Sequence, residues 1–415
     1  MDADGVMKTA GDRRESAGPA TIFGSGERTD ASPSKHAEST YAFLCRVAGP
    51  VWDQCRALID GWLAAYPAED RVGLIKRLKS GQDRVFTSAF WELYLHEMYR
   101  RSGWVIEVEP EIAGVTTRPD FLVSKGGVSY YVEARCTFEG GGDTGAAARL
   151  QNVYEAIDSI DSGAFHLSVT VVRTGADAPP TKKLRRELEA WLRGLDPDDR
   201  VFALDHERPE YRREWIQDDW HLRFYPIARS PAVRGVRAQR PLGVFAPAEA
   251  SVIDDITPLR EALSEKGAKY GKLKHPLVIA INIGSGFHDD LDTTQALYGT
   301  LGWRINMSDP RAEPAAVLTT PGYWGFADRP AHTHIAGVLL AEGFHYGRVA
   351  AYAPAFWAHP YAPERVEPLA TWRVAQPTMG EATYEGPAVA AHAHFELPEG
   401  WPIGEPFPRR RNRES

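Results

Sequence analysis

With 415 residues, 43% hydrophobic and 25% charged, the chain is long enough for two domains or one domain with large additions, and its twelve Trp and sixteen Tyr exclude wholesale disorder. A net charge of −8 argues against a surface that is basic all over, and so against a protein whose main task is coating nucleic acid. The longest apolar runs, such as Pro276 to Ile283, fall far short of the roughly 20 residues that span a bilayer, and no apolar signal core opens the chain. Cys45, Cys55 and Cys136 show neither CxxC nor Cys/His spacing, so reduced thiols in a cytoplasmic protein are expected, without a disulfide framework or a zinc site.

Residues 1–38, rich in Gly, Ser, Asp and Ala, read as a disordered tail. In 39–82 apolar residues recur at helical spacing (Phe43, Val47, Val51, Cys55, Leu58, Trp62; then Val72, Ile75, Leu78), broken by Pro50 and Pro67, which predicts a helical segment. An α/β core is expected over 83–288. It begins with an amphipathic helix from Arg84 to Ser102, closed by Gly103 as a left-handed cap. The period then changes to two, giving strands Trp104–Glu109, Arg118–Val123 and Val128–Glu133, the last two joined by a tight turn at Lys125, Gly126 and Gly127.

A helix from Thr144 to Ile160, a strand from Phe165 to Val172, a helix from Thr181 to Leu192 and a strand near His221 to Ile227 follow. A helix from Leu259 to Tyr270 and a buried strand from Leu277 to Ile283 complete the alternation, which predicts α/β with a mixed central sheet flanked by helices. Beyond it, 289–396 is expected to be a C-terminal α+β region, with short strands at His334–Leu340 and Arg348–Ala353, and 397–415 a basic disordered tail.

Within this order Asp120 opens one strand and Glu133 stands near the end of its hairpin partner. Side chains alternate across a strand, so Glu133 and Arg135 share a face and Asp120 can lie beside Glu133. Two facing carboxylates repel unless a cation lies between them, and hard oxygen donors with room for water suit Mg²⁺ or Mn²⁺. The Ala134 carbonyl is a further candidate ligand. The alternative for Asp120 is a residue that merely opens a strand beside a turn; for Glu133, after an apolar run, a purely structural role is harder to justify.

These residues and the order helix, strand, Pro-Asp strand, turn, Glu-x-Arg strand, helix resemble the PD-(D/E)xK nuclease superfamily, whose fold is restriction-endonuclease-like. The resemblance is carried by Glu92 within Phe90 to Leu95, by Pro119 and Asp120, and by Glu133, Ala134 and Arg135, and covers Thr87 to Asn152. It implies a nuclease acting on DNA, with Asp120 and Glu133 as metal ligands, Glu92 completing the site from the helix and Gln151 as an auxiliary polar residue. Glu97, which falls in the apolar stripe with Phe86, Phe90 and Leu93, is the rival of Glu92. Arg135 stands where the family has lysine. It keeps the charge but not the compact, titratable ammonium, and Lys125 and Lys269 are the lysines that could replace it in space. The same substitution motivates the alternative of a catalytically silent protein of this fold that binds nucleic acid or a protein partner. A homodimer is left open.

Other features carry bland readings: His332 and His334 as structural histidines, and Lys266, Lys269, Lys272 and Lys274 as a solvated helix end rather than a phosphate track. Neither a phosphate-loop motif around Gly284 nor a GxSxG elbow is present.

Overall fold

The structure, a computed structural model, describes residues 21–138, 144–199, 212–231, 234, 241–247, 256–267, 270, 273–284, 288–304, 313, 315–378 and 382–407. Helices α1 (Thr40–Arg46), α2 (Pro50–Ala65) and α3 (Ala68–Leu78) come first. The two prolines sit at helix starts, where a missing N–H costs nothing: Pro50 is the first residue of α2 and Pro67 precedes α3. Helix α4 (Asp83–Arg101) follows, and Gly103 takes a φ of 75° after it, as a left-handed helix end requires.

Strands β1 (Val105–Val108), β2 (Phe121–Lys125) and β3 (Val128–Thr137) form an antiparallel meander. Gly126 and Gly127, at φ 59° and 84°, make the two-residue turn that pairs Lys125 with Val128; a two-residue hairpin of this hand needs positive φ at both positions. Then come α5 (Thr144–Asp158), β4 (Phe165–Arg173), α6 (Thr181–Arg193), β5 (Arg213–Gln217), β6 (Trp220–Ala228) and β7 (Leu242–Pro247). Helix α7 (Ile256–Gly267) leads to β8 (Leu277–Ile283), and α8 (Asp290–Tyr298) to the hairpin β9 (Gly299–Arg304) and β10 (Ala315–Pro321). After the short pair β11 (Gly325–Phe326) and β12 (Arg329–Pro330) come β13 (Ile335–Glu342), β14 (Ala355–Ala358), β15 (Arg373–Pro377), β16 (Ala382–Glu385) and the turn of helix α9 (Ala391–His394).

Eight strands make one mixed sheet in the order β1-β2-β3-β8-β13-β14-β15-β16, with β3, β8 and β13 parallel. The expected α/β class with a mixed central sheet is the one observed. Strand β8 is buried along its whole length, as parallel strands covered on both faces are. Alternation sends Val278 and Ala280 to the α4 side and Leu277, Ile279, Ile281 and Ile283 to the side of α7 and α8, so helices lie on both faces. The Trp91 indole N–H, donating to the Ala280 carbonyl at 3.1 Å, fixes α4 over β8. Helix α4 is not amphipathic as expected. Helices α1, α2 and α3 cover its outer side, and it is buried from Ala89 to Tyr99.

Several expected boundaries shift. Residues 1–38 are not all tail, since Ile22 and Phe23 are buried and the Ile22 N–H donates to the Asp60 carboxylate at 2.8 Å. The 397–415 tail is likewise packed in its first part: Trp401 is buried, and the Trp52 indole donates to the Pro406 carbonyl at 3.0 Å. The 83–288 core divides, because β4 to β7 form a separate four-stranded sheet (β5-β6-β4-β7) that shares a hydrophobic cluster of its own with α5 and α6. Conversely, 289–396 is no separate region, since β13 to β16 extend the main sheet. The strand expected at Arg348–Ala353 is a turn, with Arg348 ending a 3-10 helix, and the strand starts at Ala355. Among the described residues no helix is long and apolar enough to cross a membrane.

Candidate active site

Two features set the site: the hairpin register and the point at which β2 and β3 part. Phe121 pairs with Val132, so the next residues outward, Asp120 and Glu133, face one another. Here the ladder opens. The Asp120 carbonyl accepts from the Glu109 N–H at 2.9 Å on the β1 side, while its carboxylate Oδ2 accepts from the Ala134 N–H at 2.6 Å, replacing a strand-to-strand bond on the β3 side.

Glu133 is only 1% exposed, on the sheet face that carries Tyr131, Ile279 and α7. An ionised group at that depth requires partners. One is the hydroxyl of Tyr270, just beyond α7, which donates to Glu133 Oε2 in a short bond and also lies 3.2 Å from the Arg118 carbonyl. Burial pushes the Tyr270 phenol well above its usual range, with Glu133 and then Asp120 adding to the shift, so both carboxylates act on the same hydroxyl.

Asp120 also acts electrostatically on groups beside α4. Glu92 is buried there and accepts from the Tyr66 hydroxyl at 2.9 Å and from Arg77 at 2.6 and 2.8 Å. Burial raises the Glu92 carboxyl, against the pull of Arg77 and Tyr66. Burial, Glu92 and, more weakly, Asp120 raise Tyr66; Arg77 is raised by Glu92, Tyr66 and Asp120 although burial opposes its charge. The charge of Asp120 thus acts on the tyrosine of each of two carboxylate–tyrosine pairs, Glu133 with Tyr270 and Glu92 with Tyr66.

Glu92 and Glu97 differ in their partners. Glu97 is held one turn away by Arg100 at 2.7 and 2.9 Å and by Arg101 at 2.5 Å, local pairs that turn it toward the end of α4. Glu92 is the helix carboxylate whose neighbours share the field of Asp120.

The remaining expected residues are placed differently. Arg135 shares the Glu133 face and forms an ion pair with Glu265 of α7 at 2.7 Å. Lys125 does not replace the missing lysine: its ammonium donates to the Ser102 carbonyl at 2.6 Å, five residues and about 17 Å of strand from Asp120. Lys269 and Lys272 lie outside the described residues, as do Ser285 and Gly286. Gln151 is half-buried on α5, a helix that packs against α6 and β7. His332 stacks on Tyr323 at 4.1 Å, as a structural histidine does, with His334 beyond it at 6.4 Å.

Among the described residues no group of three or more His, Cys, Asp or Glu is arranged to hold a metal ion. A cation at Asp120 and Glu133 would therefore rest on two carboxylates and draw its other ligands from main chain, water or substrate, which fits Mg²⁺, an ion that keeps several waters. Tyr66, Arg77 and Tyr270 carry no sequence motif; only the folded chain brings them to the site. Comparison with family models, curated proteins and solved structures finds no match to this chain.

Proposed function

We propose that the chain is a Mg²⁺- or Mn²⁺-dependent nuclease of the PD-(D/E)xK type that hydrolyses phosphodiester bonds in DNA in the cytoplasm. The observation that carries the reading is the Asp120–Glu133 register at the parting of β2 and β3. The order α4, β1, β2, turn, β3, α5 supports it, since it is the order the resemblance implies. A divalent ion bound there would supply Lewis acidity and a water of lowered pKa.

The chain's own residues would act around it. Asp120 and Glu133 provide anionic oxygens, with Glu133 exchanging its Tyr270 hydrogen bond for the ion. Arg135, on the same face as Glu133, would leave Glu265 to meet charge developing on the phosphoryl group. Glu92, tied to Arg77 and Tyr66, would position Asp120 through the field they share rather than bind metal itself.

A second reading is favoured by one specific observation. Glu133, Arg135 and Lys125 are each engaged within the fold, as in a protein that keeps this architecture only to bind nucleic acid or a protein partner. Plasmid cleavage with Mg²⁺ or Mn²⁺ separates the two. The wild type should nick or linearise DNA, and Asp120→Ala and Glu133→Ala should each abolish it. Equal activity in all three would remove the catalytic role of the pair, and a mobility shift without cleavage would favour the second reading.

A further inference from the structure

A cavity lies away from the carboxylate pair. It has a volume of about 810 Å³ and opens at the C-terminal end of β13, where Glu342 and Gly343 leave the sheet beside the start of β15. Crevices at the carboxyl ends of parallel strands are where open α/β sheets take ligands, and pockets for small molecules measure about 300–1,000 Å³.

Two arginines line it. Arg348 donates from Nη1 to the Glu342 and Gly343 carbonyls at 3.2 Å, and its guanidinium lies 4.9 Å over the Tyr352 ring. Arg373 donates from Nε to the Ala353 carbonyl at 3.1 Å and lies 4.4 Å over Tyr384. Both guanidiniums are thus oriented by main chain and by an aromatic face, and neither forms an ion pair with a carboxylate of the described residues. Each keeps N–H donors that those bonds do not use; in Arg373 these are the two Nη groups, which match an oxyanion bidentately. The two charges act on common ground. Burial raises Glu342 and Tyr352, while Arg373 and Arg348 both pull each of them down.

We propose that this cavity binds a nucleoside monophosphate, or a phosphomonoester of that size, with its phosphoryl group on Arg348 and Arg373. Two guanidiniums that form no ion pair with a carboxylate of the described residues match a phosphomonoester, which carries about −1.5 to −2 at neutral pH. The volume exceeds what inorganic phosphate fills. Glu342 and Glu399, which also line the cavity, can accept hydrogen bonds from hydroxyl or amino groups and would repel a longer polyphosphate. This site shares no residue with the carboxylate pair, and its occupancy does not depend on nuclease activity.

The test is calorimetric titration of the full chain with the four ribonucleoside 5′-monophosphates, the matching nucleosides and triphosphates, and a short DNA duplex. At least one monophosphate should bind more tightly than its nucleoside and its triphosphate. Arg348→Gln and Arg373→Gln should each weaken that binding tenfold or more, and Arg348→Lys should weaken it less than Arg348→Gln. Unchanged thermal unfolding of the variants would show that the loss is local. Three results would overturn the proposal: no monophosphate binding in the wild type, binding indifferent to both arginines, or displacement of the monophosphate by duplex DNA, which would make the arginines part of a nucleic-acid track.

Discussion

Replacing Tyr270 by Phe tests whether Glu133 is a metal ligand or only a buried acid. Tyr270 is almost fully buried in the cluster with Leu259, Leu263 and Ile279, so Phe keeps the ring packing and removes only the hydroxyl. That hydroxyl is a donor to a carboxylate that is 1% exposed. Losing a hydrogen bond to a buried charged group costs about 1.5–3 kcal/mol, so without divalent ions the variant should unfold at a free energy lower by about 2 kcal/mol in urea titrations followed by tryptophan fluorescence. If a cation binds at Asp120 and Glu133, it takes over the role of the hydroxyl. With about 10 mM Mg²⁺ the deficit should then shrink by roughly 1 kcal/mol or more, and the variant should bind Mg²⁺ more tightly than the wild type by up to about tenfold per 1.4 kcal/mol recovered. Tyr66→Phe is the control. It removes the donor to Glu92, but Arg77 still holds that carboxylate, so its deficit should not depend on metal. A Tyr270→Phe deficit identical with and without Mg²⁺ would refute the metal role of Glu133.

Two further outcomes test the surroundings. Burial above all, with Arg100 adding to it against Glu97, lowers His96 from the ordinary histidine value to about 4. The unfolded chain therefore takes up a proton near pH 6.5 that the fold refuses until about pH 4, so stability present above pH 6.5 is lost as pH falls through that window, by about 3 kcal/mol in all. In His96→Phe this part of the acid loss should vanish in urea titrations at pH 7, 5.5 and 4.5, and an unchanged pH profile would count against it. At the centre of the sheet, a Cβ on Gly337 would lie 2.5 Å from the Phe356 ring and 2.8 Å from the Trp357 carbonyl. Gly337→Ala should cost about 1–3 kcal/mol of unfolding free energy, and no loss would mean that β13 and β14 do not approach this closely.

What was legible in the sequence depended on how local its cause was. The turn at Gly126 and Gly127 pairs Lys125 with Val128, and counting outward from that pair places Asp120 opposite Glu133, so the pair needed nothing beyond its hairpin. The apolar run from Leu277 to Ile283 marked a strand covered on both sides for the same reason. Helix α4 misled because its pattern was compared with a helix on a surface, whereas α1 to α3 cover the side that would have met water. The union of β13 to β16 with the first three strands, and the separation of β4 to β7 from them, rest on pairings between distant segments that no local period records.

The same distinction locates the chemical question at the site. Arg135, the visible departure from the nuclease pattern, is held by an ion pair in which Glu265 is 59% exposed, and such pairs contribute little, typically up to about 1 kcal/mol. Its guanidinium is therefore easily redirected. Tyr270 was not visible in any motif, yet its bond to Glu133 is buried and charge-assisted, which makes it the stronger of the two restraints. Opening a metal site here is governed by whether an ion repays the loss of the Tyr270 hydroxyl, and only secondarily by the exchange of lysine for arginine. A Tyr270→Phe variant that gains both Mg²⁺ affinity and cleavage would identify the phenol as the restraint, whereas one that gains affinity without cleavage would place the deficit at Arg135.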